Sequence, residues 1–341
     1  VGSEMCIRDR SYTCKITVGD MGQNYDSAIA RLKALGVEAV WDKSLKNSPD
    51  ERKIAERCYG YDFVIAANER WGADALHACK DTLKLLVRYG IGADSVDVAA
   101  ASANGIPVTI LPGCNAKAVA EQAVALMLDC QRLVSRQDRE VRGGDYEVQT
   151  YLTHALYGKT VGLLGFGNIA KNVVLLLQGF GCRFIAYDVY EDHAFADQHD
   201  VRFAPAEQVL RESDIVSVHM PSTTQTHWFI NRDTLAEMKR TAVLINTARG
   251  GLVCTRDLVE ALRSGTIAAA GLDVYGDAGS GESVPPELTV LENVVLTRHS
   301  GANTYEALDH VTDCAIDAID DFLHGRPLRG MLNPDALALH R

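Results

Sequence analysis

No run of apolar residues in this chain approaches the ~18 that a membrane-crossing helix needs, so nothing reads as a transmembrane span. An excess of basic charge is missing too: 34 Lys and Arg stand against 45 Asp and Glu, a formal net charge of -11. Phosphate backbones need a basic face, which argues against nucleic acid as a main partner. A small anionic substrate needs only a local basic pocket and is not excluded. The nine cysteines contain no C-x-x-C pair and no metal-ligand spacing with histidine. They are expected to be reduced, mostly buried thiols of a cytosolic protein. The ten histidines are scattered, so no metal is expected. Internal repeats and low-complexity segments are absent.

What is present is apolar material, 47% of 341 residues, enough for two ordinary domains or one large one. The first eleven residues stand apart. They lack the charged-then-apolar layout of a signal peptide, and Glu4 to Arg10 (EMCIRDR) resemble a translated sequencing-library adapter. Residues 1–11 are therefore set aside as a read-through scar, which leaves the natural N-terminus open.

From Cys14 short apolar runs alternate with stretches of helical spacing. CKITVGD, VEAVWD, DFVIAA, LKLLVRYG and IPVTIL read as strands; YDSAIARLKALG, ERKIAERC, ADALHAC and SVDVAAASANG read as the helices between them. Such alternation implies a parallel sheet covered on both faces. Asn115 to about Arg142 then reads as one long helix, of a length that suits a connector between domains. A second alternation follows: TVGLLG, RFIAYD, DIVSVHM, AVLINTA, AAAGLDV and VVLTRH, six strands that fit one doubly wound sheet. A last helix, from about Thr304 to His324, could return the chain to the first domain. The fold class is thus α/β, with two such domains and a cleft between them.

The most informative stretch is TVGLLGFGNIAKNVVLLLQGFGCRFIAYD. A strand ends at Gly165, and Gly165, Phe166, Gly167, Asn168, Ile169 and Ala170 open a helix in the G-x-G-x-x-A form of the dinucleotide fingerprint. Gly165 permits the tight turn, Gly167 lets backbone approach a pyrophosphate, and the helix N-terminus offers unpaired N–H groups to phosphate. Asp188 ends the next strand, where an acid can take ribose hydroxyls. That full context is what turns a weak motif into a cofactor prediction. Asp188 would repel a 2′-phosphate, and Val189 and Tyr190 supply no arginine, which favours NAD over NADP.

Two further strand ends carry candidate chemistry. AVLINTARGGLV places Arg249 at the ligand edge of such a sheet, where a guanidinium fork suits a carboxylate; a solvated loop arginine would look the same in this segment. NVVLTRHSGANT places His299 similarly, where an imidazole can exchange a proton near neutral pH or simply serve the structure. His219, in SDIVSVHMP, reads as structural. A nicotinamide cofactor, a carboxylate-binding arginine and a proton-exchanging histidine are together what oxidation of a 2-hydroxy acid requires.

At this point the chain resembles the D-isomer-specific 2-hydroxyacid dehydrogenase family, from roughly Cys14 to Leu337. The resemblance rests on LLVRYGIGADSVDVAAASANGIPV, NAKAVAEQAVALML, GFGNIA, SDIVSVHMPSTTQTHWFI, LINTARGGLV, GLDV and NVVLTRHSGANT, in that order. It implies a Rossmann NAD-binding domain, residues 113–303, inserted in a flavodoxin-like substrate domain made of residues 12–112 and 304–341. It implies Arg249 as the carboxylate-binding residue and His299 as the acid/base. Backbone at Ile91 and Gly92 would also hold substrate carboxylate. Asp273 would meet the nicotinamide carboxamide, with Thr247 and Ala248 lining the same ring. A cytoplasmic homodimer is implied as well, through the long helix of the NAD domain, although a buried intrachain helix would show the same apolar face. The overall pattern looks most like phosphoglycerate dehydrogenases without an appended regulatory domain. Phosphoglycerate would need extra cations near Arg249, for which Arg88, Arg298 and Lys117 are candidates; hydroxypyruvate or glyoxylate would not. A reading from a different class is an NAD-sensing corepressor-like binding protein with weak or no catalysis.

The chain departs from the family pattern in two places. Arg298 stands where proline usually precedes the histidine, and pointing inward it would lower the imidazole pKa. The family's third catalytic residue is a glutamate five residues after the Asp of GLDV, which here falls on Ala278. ESVPP resembles the family's E-P-L-P-P and would place that glutamate at Glu282, nine residues after Asp273, with four residues inserted. Gly276, Gly279 and Gly281 make an inserted loop inexpensive. Asp277, or no carboxylate at all, remains the alternative.

Overall fold

Parallel sheets bury both faces, so their central strands need apolar side chains throughout rather than an alternation. FVIA, IVSV, VLIN and AAGL meet that need, and every residue of these four strands is buried. A computed structural model describes residues 11–147, 151–276 and 283–337. It divides into two compact units: one holds the chain up to Asn115 and from Asn303 onward, the other Ala116 to Ala302.

The first unit has five parallel strands: β1 (Tyr12–Ile16), β2 (Val37–Trp41), β3 (Phe63–Ala66), β4 (Leu85–Arg88) and β5 (Val108–Thr109). Their order, β2-β1-β3-β4-β5, is the flavodoxin-like one. The returning helix Tyr305–Leu323 belongs to this unit. Thr304 caps it by accepting from the Ala307 N–H, and Val311, Ala315, Ile316 and Ile319 enter the core with Cys14, Ile16, Phe63 and Leu85. Tyr89 bonds this helix at the Leu308 carbonyl and the Thr312 hydroxyl, and Arg31 grips its Asp313 and Asp317, each at 2.6 Å.

The second unit has seven parallel strands: β6 (Thr160–Leu164), β7 (Arg183–Tyr187), β8 (Val201–Phe203), β9 (Ile215–Val218), β10 (Val243–Asn246), β11 (Ala269–Leu272) and β12 (Val294–Leu296). The order is β12-β11-β10-β9-β6-β7-β8, so the winding direction reverses between β6 and β9. This is the Rossmann arrangement with one strand added at its end. The sequence suggested six strands here. The seventh, VRF, is three residues long with only Val201 buried, too little to register as a pattern.

The long helix expected from Asn115 to Arg142 is two helices, Ala116–Arg132 and Val134–Arg142. Leu133 breaks it in a left-handed conformation, φ 54° and ψ 37°, and the Asp129 carboxylate accepts from the Ser135 N–H to start the second piece. The first piece does not bridge the units. It lies wholly in the second, where Ala123, Leu126 and Met127 join the core formed with Val161, Val173 and Ile245.

Candidate active site

Strand register sets the site. Tyr187 pairs with Leu164, Leu164 with Val218, Val218 with Asn246, Asn246 with Leu272 and Leu272 with Leu296. These six residues end their strands in one row across the sheet. The next residues in the chain are therefore Asp188, Gly165, His219, Thr247, Asp273 and Thr297, all at the carboxyl edge, where open α/β sheets bind ligands. The register sets Gly165, Asp188, Thr247 and Asp273 along one edge, with Arg249 and His299 two residues beyond Thr247 and Thr297.

At the reversal point Gly165 has φ 93°, a region that favours glycine, and an added Cβ would lie 2.6 Å from the Met220 nitrogen and 2.7 Å from the His219 carbonyl carbon. Gly167 is different: a Cβ there would meet nothing within 4 Å. It stands in open space at the N-cap of the helix Asn168–Leu177. The free first-turn N–H groups of that helix, Asn168 and Ile169 among them, face the same opening. Asp188 is half-buried, and its carboxylate accepts from the Phe166 N–H at 2.6 Å and the Tyr190 N–H at 3.0 Å. It thereby fastens the glycine turn to the end of β7. An open glycine, a helix N-terminus and an acid beside it form a cradle that fits a dinucleotide.

Beyond β10, Asn246 brackets the turn that carries Arg249. Its side chain donates to the Arg249 carbonyl at 2.9 Å and accepts from the Ala248 N–H at 3.0 Å. Gly250 presses on the end of the β11 loop, where a Cβ would fall 2.3 Å from the Gly276 carbonyl oxygen. Thr247 is 6% exposed, and its hydroxyl has no hydrogen-bond partner among the described residues. Ala248 is buried, and the Arg249 guanidinium donates to its carbonyl at 2.7 Å.

Asp273 is 1% exposed. Its carboxylate accepts from the Ser300 and Gly301 N–H groups at 2.9 Å each and from the Thr297 hydroxyl, while its carbonyl accepts the His299 N–H at 2.8 Å. Gln122 in turn donates to Thr297 at 3.0 Å. His299 is half-buried with φ 49°, a left-handed conformation rare outside glycine. The Asp273 oxygens, expected beside the nicotinamide carboxamide, also hold the histidine turn. Arg298 is exposed, as is Lys117.

His219 fits its structural reading. Its Nε2 bonds the Ser217 hydroxyl at 2.8 Å, its Nδ1 is buried with no partner among the described residues, and burial pushes the imidazole down to about 4. Ile91 and Gly92 belong to the first unit, half-buried just after β4. Arg88, at the end of β4, donates to the Tyr89 carbonyl and the Asn68 side chain. Asp277, Ala278 and Glu282 lie outside the described residues. Sequence reasoning missed Asn246, Thr297 and Gln122. The roles of Thr297 and Gln122 come from tertiary contact; Asn246 acts locally, and only its polarity inside the run VLIN signalled anything.

Comparisons with known proteins agree with this geometry. Residues 124–301 match the family described as D-isomer specific 2-hydroxyacid dehydrogenase, NAD binding domain. A hydroxypyruvate reductase of Thermotoga maritima is 38% identical over 72% of this chain and 78% of its own length. A D-3-phosphoglycerate dehydrogenase of Archaeoglobus fulgidus is 32% identical over 90% of this chain but only 57% of its own. The crystal structure of a glyoxylate reductase from Paecilomyes thermophila superposes with a TM-score of 0.83 at 26% identity, covering 95% of this chain and 99% of that one. The chain belongs to the D-isomer specific 2-hydroxyacid dehydrogenase family, and NAD is its cofactor.

Proposed function

We propose that this enzyme interconverts a short, unphosphorylated 2-keto acid, glyoxylate or hydroxypyruvate, and its D-2-hydroxy acid. The observation that carries the reading is the row of strand ends, which sets Arg249 and His299 on the same sheet edge as the dinucleotide cradle. NAD, when bound, supplies the carrier that accepts hydride from C2 or returns it. Arg249 forks onto the substrate carboxylate and orients C2. His299 takes the hydroxyl proton during oxidation and gives one to the keto oxygen during reduction. The balance is hydroxy acid plus NAD⁺ to keto acid, NADH and one proton.

Two observations support an unphosphorylated substrate. Arg88 is engaged by the Tyr89 carbonyl and the Asn68 side chain within the first unit, and Arg298 and Lys117 are exposed. The names of relatives point both ways, since they include a phosphoglycerate dehydrogenase as well as the two reductases. Glu282 is our assignment for the carboxylate partner of His299, with the role of fixing its tautomer.

The helix Val134–Arg142 has no buried residue, and Val134, Val141, Tyr146, Leu152 and Tyr157 are all at least half exposed. That apolar surface supports a homodimer, which light scattering would test. In its general character the reading is a soluble cytoplasmic enzyme; among the described residues no helix is long and apolar enough to cross a membrane.

The deciding experiment follows NADH oxidation with glyoxylate, hydroxypyruvate, pyruvate and phosphohydroxypyruvate from pH 5 to 9. Preference for either of the first two supports the reading; preference for the phosphorylated acid overturns the substrate class. Glu282→Gln should move the pH profile to lower pH, and an unchanged profile would remove Glu282 from the mechanism.

A further inference from the structure

One cluster in the first unit plays no part in the chemistry above. The Cys114 thiol, the His310 imidazole and the Cys314 thiol each offer an atom, and the three lie within 4.8 Å of one another. Cys114 is buried and sits two residues after Pro112, in the last turn before the chain enters the second unit. His310 and Cys314 are one helical turn apart on the helix Tyr305–Leu323, so they share a face. The Cys314 sulfur is 3.9 Å from His310 Nε2, and it is hydrogen-bonded to Cys114.

We propose that Cys114, His310 and Cys314 form a zinc site, with water in the fourth position. Two thiolates and an imidazole are the donors that favour zinc over magnesium or calcium. Tetrahedral Zn–S and Zn–N lengths of about 2.3 and 2.0 Å require ligand atoms roughly 3.5–3.8 Å apart, so the present spacing needs only small side-chain rotations. His310 is exposed and Cys314 half-buried, which leaves the fourth position open to water. Asp313 and Asp317 lie on the same helix face and act on Cys314, partly offset by Arg329. Each also bonds Arg31 through its Oδ1. On binding, each thiol gives its proton to solvent and no electron is transferred. The site would pin the segment before the second unit to the returning helix of the first.

The test uses the full chain, reduced and stripped with a chelator, then titrated with zinc against a chromophoric competitor. One equivalent should bind with sub-micromolar affinity. Cys314→Ser and Cys114→Ser should weaken it on the order of 100-fold, and His310→Gln about 10-fold or more. Cys182→Ser, a half-buried thiol elsewhere, should leave it unchanged. Cobalt(II) in place of zinc should give a thiolate charge-transfer band and a tetrahedral visible spectrum. His310→Gln alters an exposed residue, so it reports even where a cysteine variant fails to fold. Binding weaker than micromolar, affinity indifferent to both Cys314→Ser and His310→Gln, or an octahedral cobalt spectrum overturns the proposal.

Discussion

Asp273 holds His299 from both sides of the chain: its carbonyl accepts the His299 N–H, and its carboxylate accepts the N–H groups of the next two residues. The backbone of the histidine turn is thus held by a buried acid at the end of β11. Buried acceptors with several donors are the strong members of a network, so this turn is fixed before substrate arrives.

His299→Asn is the cleanest test of proton transfer. Asparagine tolerates the left-handed backbone that His299 adopts, so the turn should survive. Stopped-flow and steady-state assays should show kcat reduced by roughly 10²–10⁴-fold with NADH affinity intact. A variant that keeps near-normal kcat would remove His299 as the acid/base.

Arg249→Lys keeps the charge and loses the fork. A bidentate site is not satisfied by a point charge, so kcat/KM for the keto acid should fall roughly 10–100-fold, mainly through KM. Equal KM values for the two enzymes would mean that Arg249 does not hold the carboxylate.

The two glycines of the cofactor turn should separate stability from binding. Gly165→Ala forces a side chain into Met220 and His219 at a positive φ and should cost about 1–3 kcal/mol in denaturant unfolding. Gly167→Ala adds a methyl to open space, so unfolding should change by no more than about 0.5 kcal/mol while the NADH Kd rises about 10-fold. Tight NADH binding by Gly167→Ala would mean that the pyrophosphate does not approach there.

Asp188→Ala should act twice. Loss of the acceptor for Phe166 and Tyr190 should loosen the turn, costing about 1–2 kcal/mol, and the NADH-over-NADPH preference should shrink about 10-fold. An unchanged cofactor ratio in fluorescence titrations would reduce Asp188 to a structural role.

His219 predicts an acid sensitivity. Its folded pKa, about 4, lies below the ordinary 6.5, so the unfolded chain binds more protons between those values. Stability should therefore be fully present above about pH 6.5 and decline as pH falls toward 4, by roughly 2–3 kcal/mol from this group. Urea unfolding of His219→Gln between pH 4.5 and 6.5 should show a flatter dependence. A parallel dependence in both proteins would mean that the imidazole is not held neutral.

The sheet edge was legible because parallel strands advertise themselves as continuous apolar runs and the turns after them hold the polar residues that matter. Gly165, Asp188, Arg249 and His299 could be found that way. β8 could not, because VRF has neither length nor burial. The break at Leu133 carries no glycine or proline to announce it. The Cys114–His310–Cys314 cluster escaped a search by spacing, since Cys114 and Cys314 stand 200 positions apart and meet only through the returning helix. Gln122 and Thr297 escaped for the same reason, since they meet each other and Asp273 only in the folded chain, and Asn246 escaped because its turn-bracketing bonds look like any buried polar residue in the run VLIN.

The clamp between Asp273 and His299 also decides how far a change in the segment between them is felt. It ties the two ends of the segment from Val274 to Arg298, so the backbone of the histidine turn is held at the end of β11 as well as by β12. Added length in the part before β12 costs little loop entropy and leaves that backbone clamp in place. A change of length there would alter the reach of any carboxylate the segment carries and leave the histidine backbone where it is.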